Sequence, residues 1–256
     1  MVDGGFTRAI IPKVGEIIYL SKIRREPMLV KDWMTKNVSI DQEATVIDAI
    51  KIMKEKDVTR IPVTKNGKLI GILTNEDINR SSPSNASLLN AHEVAYLISN
   101  LRVKKVMTSP VITISAENSI FEATETLLHR DVSGAPVVNH KHEVIGVISR
   151  TELTELLLSL AGVGPFGIEL GLEVKDDPGL IKILSDIIYG YGIRIRSVLT
   201  MHERVQAGYR KVLFKLYKCD REKMDELIEK LKAHSTPSYM VDHLNGTRVF
   251  FPQNDN

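Results

Sequence analysis

The sequence predicts an α+β protein: two tandem copies of a β-α-β-β-α unit forming a pseudo-symmetric pair, then a separate β-α-β-β-α-β domain. Three observations carry this. "WMT" at Trp33–Thr35, "EATVIDA" from Glu43 and "RIPV" from Arg60 recur in order as "VMT" at Val106–Thr108, "ENSIFEA" from Glu117 and "GAPV" from Gly134. Repetition at nearly constant register marks a duplicated unit. The phrase "GILTNED", Gly71–Asp77, likewise returns as "GVISRTE", Gly146–Glu152, whereas the chain from "GIELGLEV" onward repeats none of these phrases.

Each copy opens with a short strand, expected at Val38–Ile40 and Val111–Ile114. An amphipathic helix follows, opened by Thr45 or Ser119 with an acid three residues on, the pattern of a capping box. Two apolar strands come next, joined by the polar turns "TKNGK" and "NHKHE" and ending in Gly-Ile-Leu or Gly-Val-Ile. A second helix then begins at Thr74 or Ser149. Between the copies, "RSSPSNAS" reads as a loop, and the pattern from Ala86 to about Leu101 as a helix whose apolar residues cover a core.

In the last part, "GIELGLEV" reads as a strand. "DDPGLIKILSDIIYGYG" reads as a helix with Asp177 at the cap, Pro178 in the first turn and glycines at the exit. "IRIRSVLT" and "YRKVLFKLY" alternate in period two, "REKMDELIEKLKAH" is a second amphipathic helix, and "YMVDHL" a final strand. That order is the ferredoxin-like split. The expected organisation is an extension (1–27), a first copy (28–85), an inter-copy helix (86–101), a second copy (102–160), a linker (161–166), a C-terminal domain (167–245) and a tail (246–256).

Composition narrows the function. The chain has 256 residues, with 34 Lys plus Arg against 32 Asp plus Glu, so no net attraction to nucleic acid or anionic membrane is expected. The single cysteine, Cys219, has no partner for a disulfide or a thiolate metal site, which suits a reducing compartment. There is no signal-peptide pattern and no apolar run near the ~20 residues of a membrane span. A cytoplasmic location is expected. No Gly-x-Ser-x-Gly, P-loop or His-Glu-x-x-His occurs, and the histidines of "HKH" at His140–His142 lack further ligands at metal spacing. "AGVGPFG" satisfies Gly-x-Gly-x-x-Gly at Gly162, Gly164 and Gly167, but it follows a helix and precedes a strand, the reverse of a dinucleotide-binding context. No catalytic residues, no metal and no catalytic cofactor are therefore expected.

The paired "MT", "PV" and glycine-led [ST]-x-x-[DE] phrases resemble a tandem pair of CBS domains, and "DDPGL" with the β-α-β-β-α-β order resembles an ACT domain. The whole arrangement is similar to the acetoin-utilisation accessory protein family. The resemblance implies a regulatory sensor for an adenosine-containing ligand (AMP, ADP, ATP or S-adenosylmethionine), held in clefts between the repeats. It places Thr74 and Asp77 on a ribose diol, with Thr35, Val38, Val58, Ile61 and Pro62 around the adenine. It gives a second cleft made of Thr108, Ile112, Val132, Ala135, Pro136, Ser149 and Glu152, where Glu152 departs from the family's aspartate. Arg60, Arg130 and Arg150 stand beside these segments as candidate phosphate contacts, or as solvated charges. Asp177, Pro178 and Gly179 are a candidate amino-acid effector loop, though a helix start accounts for them as well. A helix cap alone also explains Thr74 and Asp77. The implied partners are a small-molecule nucleotide, a small amino acid and a second copy of the chain, with a partner enzyme under the alternative of an accessory interaction subunit whose clefts are vestigial.

Overall fold

The computed structural model describes residues 28–81, 100–164 and 167–252. The extension 1–27 and nearly all of the expected inter-copy helix therefore lie outside the described residues. The chain divides into two compact units, residues 1–148 and 149–256. Among the described residues, no helix is long and apolar enough to cross a membrane.

The first copy comprises α1 (Val30–Trp33), β1 (Thr35–Lys36), β2 (Ile40–Asp41), α2 (Val46–Lys56), β3 (Arg60–Lys65), β4 (Lys68–Thr74) and α3 (Asn75–Ser81). The capping box expected at α2 forms: the Asp48 N–H donates to Thr45 Oγ1 (3.2 Å) and the Thr45 N–H to Asp48 Oδ2 (3.2 Å). Val46, Ala49 and Met53, at helical spacing, form its buried stripe. Ala49 and Met53 join Ile61, Val63 and Leu73 of β3 and β4 in one core. Strand β2 runs parallel to β3, and β3 antiparallel to β4. Asn66 and Gly67, both with positive φ (50° and 77°), make the tight β3–β4 turn, for which Asn-Gly is the favoured pair.

The second copy repeats this with β5 (Ile114–Ser115), α4 (Ile120–His129), β6 (Gly134–Val138), β7 (Val144–Ser149) and α5 (Arg150–Leu160). The boundary between the two units falls at the end of β7. The opening strands sit later than Val38–Ile40 and Val111–Ile114, because pairing begins only where Ile40 reaches Val63 and Ile114 reaches Val137.

The second unit continues with β8 (Ile168–Lys175), α6 (Leu180–Gly190), β9 (Arg194–Met201), β10 (Tyr209–Tyr217), α7 (Met224–Leu231), β11 (Thr236–Asp242) and β12 (Thr247–Phe250). Its sheet has the order β12-β11-β8-β10-β9 with every pair antiparallel. Leu170, Leu172, Val212 and Phe214 pack with Leu184 and Ile188 of α6 and Leu227 and Leu231 of α7. Strand β12 lies in the expected tail; its signal is the Asn245-Gly246 pair, where Gly246 has φ 69°. The start of α6 also differs from expectation. Gly179, at φ 84°, is the N-cap, and no side-chain hydrogen bond caps the helix, so Asp177 is not the cap: the left-handed glycine places it outside the first turn.

The two copies exchange their leading segments. β1, from the first copy, pairs with β7 of the second (Thr35↔Val147), and Val30 N–H and Lys31 N–H donate to Asn118 O and Ala116 O (2.9 and 3.1 Å). Reciprocally, Thr108 of the second copy exchanges two backbone hydrogen bonds with Ile72 of β4 (3.0 and 2.8 Å), and Val103 N–H and Lys104 N–H donate to Ala44 O and Gln42 O (3.0 and 3.1 Å). Equivalent ion pairs close both exchanges, Lys31–Glu117 at 2.9 Å and Lys104–Glu43 at 2.8 Å.

The glycines of "GIL" and "GVI" make the exchange possible. A Cβ on Gly71 would stand 2.8 Å from Met107 Sδ and 2.9 Å from Thr108 O, and one on Gly146 would stand 2.4 Å from Thr35 O. Gly146→Ala should therefore push β1 off β7 and destabilise the protein by about 1–3 kcal/mol. Gly190, where a Cβ meets nothing within 4 Å, is the control: Gly190→Ala should stabilise by about 0.4–1 kcal/mol. Thermal unfolding of both variants checks this, and equal effects would show that the close approach at Gly146 is unimportant.

Candidate functional site

β4 ends at Thr74, and the chain turns at once into α3. The Asp77 N–H donates to Thr74 Oγ1 (3.1 Å), while the Thr74 N–H and hydroxyl both donate to Asp77 Oδ2 (2.9 and 2.7 Å). These contacts make a capping box. They leave Oδ1, which accepts from the Thr108 hydroxyl at 2.9 Å and from Arg80 Nη2 at 2.5 Å. The Asp77 side chain is 3% exposed. Asp48 and Glu122, in otherwise similar boxes on α2 and α4, are exposed. Capping accounts for one carboxylate oxygen in each of these boxes, Oδ2 of Asp48 and Asp77 and Oε2 of Glu122, but it does not account for burying Asp77 or for meeting it with a hydroxyl from the other copy.

Burial pushes the Asp77 carboxyl upward, but hydrogen bonds from Thr74, Thr108 and Arg80 outweigh it and hold the group below its ordinary value. The ionised form is the one this corner selects. Arg80 is 75% exposed, so its ion pair contributes little by itself. Arg60, opposite Thr74 across β3–β4, is 9% exposed and approaches β6, 2.9 Å from where a Gly134 Cβ would be.

The second corner repeats the geometry with the longer acid. The Ser149 N–H and hydroxyl donate to Glu152 Oε2 (2.7 and 2.8 Å), and the Glu152 N–H donates to Ser149 Oγ (3.3 Å). The extra methylene does not prevent the reciprocal box.

The exchanged segments regroup the expected site residues. Thr108, assigned by its position to the second cleft, stands on Asp77 in the first, and Thr35, assigned to the first, pairs with Val147 of the second copy. The reason is that each "MT" phrase belongs to a segment that docks on the opposite copy. Val38, Ile61 and Ala135 are 1%, 0% and 1% exposed; their side chains are core and offer no surface to a ligand in this conformation. Pro62 and Pro136 are also buried, whereas Val58, Ile112, Val132 and Arg150 are half-buried. Arg130 is exposed at the C-cap of α4. Asp177, Pro178 and Gly179 are exposed in the turn before α6. Sequence reasoning missed Arg80, although its i,i+3 spacing from Asp77 on a helix puts the two side chains on one face.

Two interlocked copies, each closing in a glycine-led strand and a capped helix, define a tandem-repeat module. Residues 30–84 and 103–159 match the family model of the CBS domain. The chain thus carries a tandem CBS-domain pair. Among curated proteins it is similar to the uncharacterized protein MJ1426 of Methanocaldococcus jannaschii, 28% identical over 53% of this chain and 95% of that one. It is also similar to homoserine O-acetyltransferase of Methanococcus vannielii, 30% identical over 58% of this chain but only 29% of the enzyme. Similar solved structures include CBSX2 in complex with AMP (24% identity, 52% of this chain, 98% of that one, TM-score 0.40). The CBS pair of MJ0100 in complex with 5′-methylthioadenosine and S-adenosyl-L-methionine is another (23% identity, 52% and 98%, TM-score 0.41).

The lowered carboxyl gives a pH signature. The stability it contributes is present above the ordinary value of 3.8 and is lost as the pH falls through the lower folded-state value. The melting-temperature advantage of wild type over Asp77→Asn should be widest near pH ~6 and shrink below pH ~4. A gap that stays constant on acidification would mean that the carboxylate is not held in its charged form.

Proposed function

We propose that this protein is a non-enzymatic regulatory sensor. Its CBS pair takes an adenosine-containing ligand, an adenine nucleotide or S-adenosylmethionine, at the corner built by Thr74, Asp77 and Thr108. The observation that carries the reading is Asp77 Oδ1: a buried, ionised oxygen whose present donors are a neighbouring hydroxyl and an exposed guanidinium. A ribose offers two adjacent hydroxyls, and a carboxylate accepts both through charge-assisted hydrogen bonds. The diol would take over donor positions on Asp77, and the released Arg80 would be available to a phosphate or a carboxylate farther along the ligand. Because Thr108 arrives from the second copy, a ligand here would favour one arrangement of the two copies over another, which is a population shift.

The second unit resembles an ACT domain, a reading supported by its β-α-β-β-α-β order and by helices packed on one face of an antiparallel sheet. It would bind a small amino acid beside Asp177–Gly179 or join two copies. Homodimerisation is proposed because two-fold pairs are the commonest closed assembly. The acetyltransferase activity of the longer relative is not carried over, since the chain spans 29% of that enzyme.

Two observations favour a second reading. Asp77 is fully hydrogen-bonded and Val38 and Ile61 are sealed in the core, as expected of an accessory interaction subunit whose clefts stay closed.

Calorimetric titration with AMP, ADP, ATP and S-adenosylmethionine separates the two. The sensor reading expects binding, a loss of at least about tenfold in affinity for Asp77→Ala, and a smaller loss for Glu152→Ala. Binding that neither substitution alters would reduce both corners to helix caps, and no binding to any of the four ligands would favour the accessory subunit.

A further inference from the structure

The turn "NHKHE" between β6 and β7 has no part in the corner at Asp77. The matching turn of the first copy, "TKNGK", closes on Gly67 at φ 77°, whereas the second copy holds His142 at φ 59°. A left-handed backbone favours glycine over any side chain, so the duplicated fold alone does not call for histidine here. Lys141 and His142 border a hollow of about 480 Å³, within the roughly 300–1,000 Å³ of small-molecule sites. The start of β4 and the segment that follows Thr108 complete its walls. Lys68, Ser109 and Thr113 add an ammonium and hydroxyls to the exposed rim, while the half-buried Ile70 and Val111 and the buried Val138 make an apolar floor.

Among the described residues no acid lines this hollow, and neither Lys68 nor Lys141 forms an ion pair. Glu143, bridged opposite Lys68, accepts instead from the Asn139 side-chain amide at 2.8 Å. None of the residues that the resemblance assigns to a cleft lines it. The hollow opens at the start of β4 and Asp77 stands beyond its end; Lys68 and Thr74, the two ends of that strand, are roughly 20 Å apart at the rise of a β-strand.

We propose that this hollow is a second binding site, for a small organic phosphate. Two ammonium groups, an imidazole and two hydroxyls on one rim suit a group that carries nearly two negative charges and several strong acceptor oxygens. Lysine meets phosphate as a point charge, whereas the planar fork that favours a carboxylate belongs to arginine, and no arginine lines the hollow. The apolar floor takes the organic body, so a bare anion would leave it uncovered.

The test is an NMR titration of the full chain with phenyl phosphate at fixed ionic strength. Amide shifts are expected at Ile70, Val111 and Lys141. Lys68→Gln/Lys141→Gln should weaken binding at least about tenfold, and Lys54→Gln, at an exposed lysine of α2, should leave it unchanged. His142→Gly should also weaken binding without lowering the melting temperature, because glycine suits that backbone. Inorganic phosphate should bind about fivefold more weakly, since it leaves the floor bare. No shifts with millimolar phenyl phosphate would overturn the site, as would a lysine or histidine variant that binds like wild type. Equal losses in Lys54→Gln would reduce the binding to unspecific charge attraction, and equal affinity for inorganic phosphate would remove the organic ligand; either overturns the proposal. Shifts centred on Thr74–Arg80 would assign the phosphate to the Asp77 corner, overturning this site while leaving the sensor reading standing.

Discussion

The exchange of leading segments between the two CBS copies is the constraint on which the rest of the first unit depends. Each copy's small sheet lacks an edge until the other copy supplies one, Thr35 against Val147 and Thr108 against Ile72. The core shows the same dependence: Val103 and Val147 of the second copy are buried with Val38, Ile61 and Leu73 of the first. The first copy does not complete its hydrophobic cluster alone. Gly71 and Gly146 are required by this geometry, because only a residue without a side chain lets the exchanged backbone approach so closely.

The candidate site follows from the exchange. A glycine-led strand must stop where the exchanged segment crosses it, and the chain escapes by starting a helix, which requires a cap. Thr74 and Asp77 meet that need with Oδ2. The crossing segment then buries the carboxylate and places Thr108 on Oδ1, so a capping residue becomes a buried, multiply hydrogen-bonded anion at the junction of two copies. Burying a carboxylate is costly unless its lone pairs are satisfied, and each donor at Asp77 offsets part of that cost. The donors on Oδ1 are also the ones a ribose diol would replace.

Much of the fold was legible in the sequence because it is written in local terms. The repeated phrases gave the duplication, Thr45 and Ser119 with acids three residues on gave the helix starts, and Asn66-Gly67 gave a hairpin. Pairing between distant segments was not legible. The resemblance groups Thr35 and Thr108 each with its own copy's cleft, whereas the structure pairs Thr35 with Val147 of the second copy and sets Thr108 on Asp77 of the first; no local pattern says which strand a segment will meet. Burial is not legible locally for a related reason. Val38 and Ile61 sit beside the cleft in sequence, yet their side chains point into the core, which is a question of strand face and not of position. Asp177 looked like a helix cap because Asp-Pro commonly opens a helix; the left-handed Gly179 takes that place. Strand β12 lies in the expected tail, although Asn245-Gly246 is a turn signal for it.

The central claim is that Thr108 of one copy and Asp77 of the other build a single site. A double-mutant cycle with Thr108→Val and Asp77→Asn, read by equilibrium unfolding, addresses it most directly. Residues that share a hydrogen bond should show a coupling of about 0.5–3 kcal/mol, because losing either partner already forfeits the bond. Effects that add to within roughly 0.3–0.5 kcal/mol would mean that the two side chains act independently, and that the site does not span the copies.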